Sequence, residues 1–277
     1  MFKKITIVGV GLMGGSLGMA IKKHGLAKEV MGMAQKKETL DEAIKLKAID
    51  TGETDVKKAV RNADLVILAT PVNLIIKLIT TINPYLRRGC IVTDMGSAKA
   101  EIVETAEKKL TNPGLFVGSH PLVGSEKKGV IYSHVDMYEN AECIITPTKS
   151  SNRAAVEKVK QFWTKLGSNI KIMTPEEHDE VLAFTSHLPH ILAFSMMEAI
   201  PNKYLENVSQ GFKDTTRIAA SSPQMWNDIC MSNSKNIVHS LDELVKYLSI
   251  LRKSITDRDE KSLTSHFVAA KEKRDAI

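Results

Sequence analysis

Two rhythms of apolar and polar positions run along the chain. Through the amino-terminal half, short β-branched or apolar runs alternate with longer stretches of helical spacing. Lys4-Ile5-Thr6-Ile7-Val8-Gly9 precedes a helix from Ser16 to Lys23, and Asp64-Leu65-Val66-Ile67-Leu68-Ala69 precedes one from Asn73 to Ile82. Cys90-Ile91-Val92-Thr93-Asp94 precedes a charged amphipathic stretch that ends at Leu110. Runs this apolar belong to parallel strands buried on both faces, and their alternation with helices predicts a doubly wound sheet. Glu29-Val30-Met31-Gly32-Met33 and Leu115-Phe116-Val117 read as further strands. Ala141-Glu142-Cys143-Ile144-Ile145, a helix over 152–166 and Ile170-Lys171-Ile172-Met173 close the series.

From Thr174 the β-rich runs stop and helical spacing takes over. Thr174-Pro175-Glu176-Glu177 opens a helix with a cap, a first-turn proline and acids at the positive end of the dipole. Pro189, within Ser186-His187-Leu188-Pro189-His190, predicts a kink that turns His187 and His190 towards a neighbouring surface. Asn236 to Ala276 repeats apolar positions at helical spacing with mixed charges between, as a packing or dimerisation surface does. The expected architecture is α/β: a doubly wound, mostly parallel sheet domain over residues 1–173, then an all-α domain over 174–277.

Composition narrows the class. The chain has 277 residues, enough for two cores at roughly 100–200 residues each. Its 43% hydrophobic and 25% charged residues are ordinary for a globular protein, and no segment approaches the roughly 18 uninterrupted apolar residues of a membrane span. Met1-Phe2-Lys3-Lys4-Ile5 runs straight into a strand, so no leader is expected and the cytoplasm is the expected location. Cys90, Cys143 and Cys230 are far apart in apolar surroundings, as reduced, buried thiols are. A net charge of +6 would permit nucleic-acid binding, but the lysines are scattered over helical stretches with few aromatics between them. The expectation is a surface that attracts anionic small molecules, with neither nucleic acid nor membrane as a partner.

The chemistry-bearing residues gather at strand ends. Gly9-Val10-Gly11-Leu12-Met13-Gly14 has the strand before it and the helix after it that a dinucleotide fingerprint needs. Gly9 allows the tight turn, Gly11 lets backbone approach a pyrophosphate, and Gly14 lets helix and strand pack closely. Leu12 and Met13 lie within the fingerprint and are expected at the cofactor, and the N–H groups at the start of the following helix meet the phosphates. An acidic residue about 20 positions on would bind the ribose hydroxyls of NAD. This chain has Ala34-Gln35-Lys36-Lys37 there, which either pairs with the 2′-phosphate of NADP or merely starts the next helix; NAD or NADP is therefore the expected cofactor. Thr70, Pro71 and Ser97 end later strands and are expected near the nicotinamide.

His120 closes the run Leu115-Phe116-Val117-Gly118-Ser119-His120-Pro121, where open α/β sheets place ligands, and is the candidate for proton chemistry. His187 and His190 stand as substrate ligands, structural histidines or metal ligands; no cysteine or carboxylate set nearby completes a metal site. Arg217 can fork onto a carboxylate, or pair with Asp214 on the surface.

Taken together, these segments resemble the prephenate/arogenate dehydrogenases of tyrosine biosynthesis. The resemblance rests on Gly9 to Ser16, Asp94-Met95-Gly96-Ser97, His120-Pro121-Leu122-Val123-Gly124-Ser125-Glu126, Ser186 to His190 and Gly211-Phe212-Lys213-Asp214-Thr215-Thr216-Arg217. It implies a Rossmann-type domain followed by an all-α dimerisation domain, hence a homodimer. It implies oxidative decarboxylation of prephenate to 4-hydroxyphenylpyruvate, or alternatively of arogenate to tyrosine. It further implies catalytic roles for His120 and Ser97, and substrate binding by His187, His190, Lys213, Arg217, Ser125 and Glu126. Val123 and Ser125 depart from the family's frequent alanine and threonine, and Ala34 to Lys37 departs where cofactor choice is made. Other two-domain nicotinamide enzymes, such as 3-hydroxyacid dehydrogenases, share the fold but are not expected to carry these segments together. A dinucleotide sensor without turnover would need no base at residue 120.

Overall fold

The computed structural model describes residues 2–125 and 127–277. Strands β1 (Phe2–Val8), β2 (Ala27–Met33), β3 (Thr51–Glu53), β4 (Leu65–Leu68), β5 (Ile91–Asp94), β6 (Phe116–Pro121), β7 (Glu142–Thr146) and β8 (Asn169–Ile172) form one sheet. Their order is β3-β2-β1-β4-β5-β6-β7-β8, parallel throughout except between β6 and β7. Among the described residues between β6 and β7 there is only a 3-10 turn, Val130–Tyr132, and not the crossover helix that usually joins parallel neighbours; the strand returns antiparallel. Strand order reverses between β1 and β4, which opens a crevice beyond their carboxyl ends.

Side chains alternate across β1: Ile5 and Ile7 join Leu17, Ile21 and Trp163 on one face, and Val8 joins Val66, Leu68, Ile75 and Ile102 on the other. Both faces are covered, as the continuous apolar runs predict. The first helix, Leu12–Lys23, begins one turn earlier than Ser16: Gly14 and Gly15 carry no apolar signal and separate Leu12 and Met13 from the periodic run. β3 escapes the hydrophobic pattern altogether: it is a short edge strand, largely solvent-facing.

Beyond β8 the chain is helical. Pro175–Leu182 opens with a complete capping box between Thr174 and Glu177. A π-helical turn, Ala183–His187, leads into Leu188–Ala199. His187 and Leu188 keep helical backbone angles, so the helix runs on unbroken and Pro189 lies inside it; the irregularity predicted as a proline kink is taken up by the π turn before it. The long stretch after Asn236 divides into Ser234–Thr256 and Glu260–Asp275. Val238, Val245, Leu248, Ile255, Phe267 and Val268 on these two helices are exposed.

Candidate active site

The turn out of β1 is shaped for a phosphate. Gly9 has φ +104°, and a Cβ there would stand 2.4 Å from the Ala69 carbonyl oxygen. At Gly14 a Cβ would lie 2.0 Å from the Gly9 carbonyl oxygen, so helix and turn meet backbone to backbone. At Gly11 a Cβ would meet nothing within 4 Å: that side is open. Gly11 is the N-cap of Leu12–Lys23 and supplies no side-chain cap, which leaves the first N–H groups, those of Leu12 and Met13 among them, to bind an anion. Thr70 borders the same turn, and its buried hydroxyl has no partner among the described residues. Pro71 follows, exposed, as the N-cap of Val72–Ile82. These features fit a dinucleotide.

The end of β2 adjoins that turn, for Gly9 N–H donates to the Met33 carbonyl at 2.9 Å. Ala34 is half-buried, and Gln35 and Lys36 are exposed. Lys36 is the N-cap of Lys37–Lys45, so the two lysines do start the next helix while their side chains remain in solvent. The nearest carboxylate along the sheet edge, Glu53, is held by the N–H groups of Thr54 and Asp55 at 2.9 and 3.0 Å.

On the far side of the crevice His120 ends a line of hydrogen-bonded groups. Its Nδ1 lies 2.8 Å from His178 Nε2, and His178 Nδ1 lies 2.8 Å from Asp179 Oδ1. A carboxylate only accepts, so His178 carries its proton on Nδ1 and must accept at Nε2. His120 therefore donates from Nδ1, and its Nε2 holds a lone pair with no partner among the described residues. Burial pushes the His120 pKa well below the usual imidazole range, with His178 and Lys99 acting in the same sense. His178 is also lowered by burial, against the pull of Asp179. Both rings are thus neutral at pH 7.

Asp179 also ties the helical segment to the sheet domain. Its carboxylate accepts from the Lys99 and Ala100 backbone N–H groups at 2.7 and 2.9 Å, capping the helix Ala100–Lys109 from outside its own chain segment. Its carbonyl accepts from Asn233 at 2.7 Å, and Asn233 Nδ2 lies 3.2 Å from His187 Nδ1. His187 is 1% exposed; burial lowers its pKa to about 4, opposed by Asp179 and the Ser97 backbone. Its Nε2 meets no partner at hydrogen-bond geometry among the described residues. His190 stacks on Trp226 with centroids 3.8 Å apart and donates from Nδ1 to the Ser186 carbonyl, 3.0 Å away. The nearby Arg217 charge helps to keep His190 neutral, after burial.

Arg217 is exposed and makes no ion pair among the described residues; Asp214, its surface alternative, accepts from Gln210 at 2.8 Å instead. Ser97, His120, His187, His190 and Arg217 thus belong to one connected region. Ser125 and Lys213 are exposed and make no hydrogen bond to it, and Glu126 lies outside the described residues. Sequence reasoning passed over His178, Asp179, Asn233 and Trp226. His178-Asp179 at the start of a well-capped helix was the available signal, since a buried His-Asp pair is costly unless used.

Two family models match the chain: "Prephenate dehydrogenase, nucleotide-binding domain" over residues 17–172 and "Prephenate dehydrogenase, dimerization domain" over residues 174–269. The prephenate dehydrogenase of Bacillus subtilis is 34% identical over 282 residues, covering 99% of this chain and 76% of that relative. The cyclohexadienyl dehydrogenase of Zymomonas mobilis is 32% identical, covering 100% of this chain and 96% of the relative. The crystal structure of prephenate dehydrogenase from Aquifex aeolicus, in complex with hydroxyphenyl propionate and NAD+, superposes with a TM-score of 0.92 at 34% identity, covering 100% of this chain and 98% of that one.

Proposed function

The chain belongs to the prephenate dehydrogenase family, and from that premise we propose that it converts prephenate to 4-hydroxyphenylpyruvate and CO2, with reduction of a nicotinamide dinucleotide. The observation that carries the reading is the His120–His178–Asp179 line, which leaves Nε2 of the largely buried His120 as a neutral acceptor with no partner among the described residues. A bound nicotinamide supplies the hydride acceptor. His120 takes the proton of the ring hydroxyl at Nε2, and the resulting imidazolium is supported through His178 by Asp179. Ser97 aligns that hydroxyl. Arg217 and His190 hold the substrate's carboxylates, which orients a dianion that aromatises once its ring carboxylate leaves as CO2.

In this reading residues 1–173 hold the dinucleotide and residues 174–277 bind substrate and pair with a second copy. The exposed apolar side chains of Ser234–Thr256 and Glu260–Asp275 support that pairing. The absence of a carboxylate over Ala34 to Lys37 supports acceptance of NADP alongside NAD. The cytoplasm fits a soluble substrate and cofactor. Prephenate and arogenate, each crossed with NAD and NADP, test the proposal through nicotinamide absorbance and product identity. Reduction with prephenate and formation of 4-hydroxyphenylpyruvate are expected; no reduction with prephenate under either cofactor would sink it.

A further inference from the structure

Strands β5 and β6 part just before the histidine. Their ladder ends at Thr93 and Val117, and β6 continues through Ser119 and His120 to Pro121 beside a β5 that has already turned into the loop bearing Ser97. The Ser119 backbone is left without a strand partner on that side. Two side chains take the strand's place: Asp94 Oδ1 accepts the Ser119 N–H at 3.2 Å, and Lys99 Nζ donates to the Ser119 carbonyl at 2.9 Å. Asp94 and Lys99 are ion-paired to each other, both at 0% exposure, and Asp94 Oδ2 also accepts the Gly96 N–H at 2.8 Å. One pair thus closes the loop that carries Ser97 and grips the peptide that leads into His120.

We infer that the Asp94–Lys99 pair is a positioning device that substitutes for the missing strand and holds Ser97 and His120 at a fixed separation in the splayed end of the sheet. The inference rests on the reading of His120 as proton acceptor. Lys99 cannot itself meet a substrate, because its ammonium is enclosed and already donates to Asp94 and Ser119. Stability alone does not account for the pair, since well-packed apolar residues often replace a buried ion pair at no loss. Apolar side chains cannot, however, satisfy a peptide N–H and its neighbouring carbonyl while leaving the sheet open for a ligand.

The double variant Asp94→Asn/Lys99→Met removes both charges and approximately keeps the volume. Two readouts apply: prephenate turnover, and the ring 15N shifts of His120 in protein with labelled histidine, identified by comparison with His120→Asn. The double variant is expected to bind NADPH or NADH as the parent does in a fluorescence titration. Its kcat should fall on the order of 100-fold, as misplacement by about 1 Å does, and His120 should no longer be confined to the Nδ1–H tautomer. Parental turnover with a single His120 tautomer overturns the inference. Should the double variant not fold, Lys99→Arg carries the same test, because the larger planar guanidinium cannot take the place of an enclosed ammonium without displacing Asp94 or Ser119. A parent that fails to oxidise prephenate, with His120 ring shifts that still respond to these variants, would overturn the functional reading and leave this inference standing.

Discussion

His120 Nδ1 lies 2.8 Å from His178 Nε2, and that one contact decides which nitrogen of His120 is basic. Because Asp179 fixes the His178 tautomer from the other side, the choice is made by a carboxylate two rings away. The same carboxylate caps Ala100–Lys109, so the group that orients the His120 ring through His178 also joins the helical segment to the sheet.

Asp179→Asn separates those two duties. An asparagine still offers an oxygen to the helix N–H groups, but its amide can donate to His178 and reverse both tautomers. Loss of the cap interaction should cost about 1 kcal/mol, a Tm decrease of a few degrees. Turnover should fall far more, by roughly 100-fold or beyond and close to the loss in His120→Asn, since both leave Nε2 unable to accept. Stopped assays and thermal melts on the two variants check this; a small change in kcat for Asp179→Asn would remove the relay from the mechanism.

The legible parts of this protein are those whose constraints are local. Gly9 and Gly14 announce themselves because a Cβ at either would strike backbone, and the strand before them is apolar on both faces. His120 is legible as a polar group after an apolar run. What stays hidden is assembled at a distance: His178 reaches His120 across 58 positions of sequence, and Asn233 reaches Asp179 across 54. Lys99, set between Ala98 and Ala100, has the look of an ordinary lysine at a helix start, and only the divergence of β5 and β6 gives it buried work. Pro189 signals an irregular helix, but a π turn before the proline and a kink at it are announced by the same residue.

The buried histidines also set an acid limit on stability. His187 keeps its neutral form down to about pH 4 in the folded protein against an ordinary value of 6.5. Between those values only the unfolded chain takes up the proton. The stabilisation is therefore complete above pH 6.5 and is lost as pH falls towards 4, by about 3 kcal/mol at most for this one group. His120 and His178 shift in the same direction and steepen the loss. Urea midpoints measured from pH 7 to pH 4.5 should decline for the parent and decline less for His187→Gln; parallel curves would contradict the assignment.

Arg217 is exposed, unpaired among the described residues, and close enough to His190 to influence its charge. Such a residue can be truncated at little cost to the fold. Arg217→Ala should raise the KM for prephenate by tens of fold, the consequence of leaving a carboxylate with one fewer charged donor. Its Tm should match the parent within about a degree. Unchanged KM would return Arg217 to the surface.

Cofactor choice can be tested at a single side chain. Gly9 is bonded to the end of β2, so the residue next along, Ala34, stands where a ribose bound over the fingerprint would reach. A methyl group there neither binds 2′- and 3′-hydroxyls nor repels a phosphate, and Glu53 is occupied by its own loop. Lys36 and Lys37 are free in solvent to meet a 2′-phosphate. Ala34→Asp adds a carboxylate that accepts from ribose hydroxyls and faces any phosphate with like charge. It should lower kcat/KM with NADP at least 10-fold, about 1.4 kcal/mol, and leave or improve the value with NAD. The Kd values for NADPH and NADH from fluorescence titration should move in the same directions. If the parent binds NADPH no better than the aspartate variant does, the end of β2 does not select the cofactor.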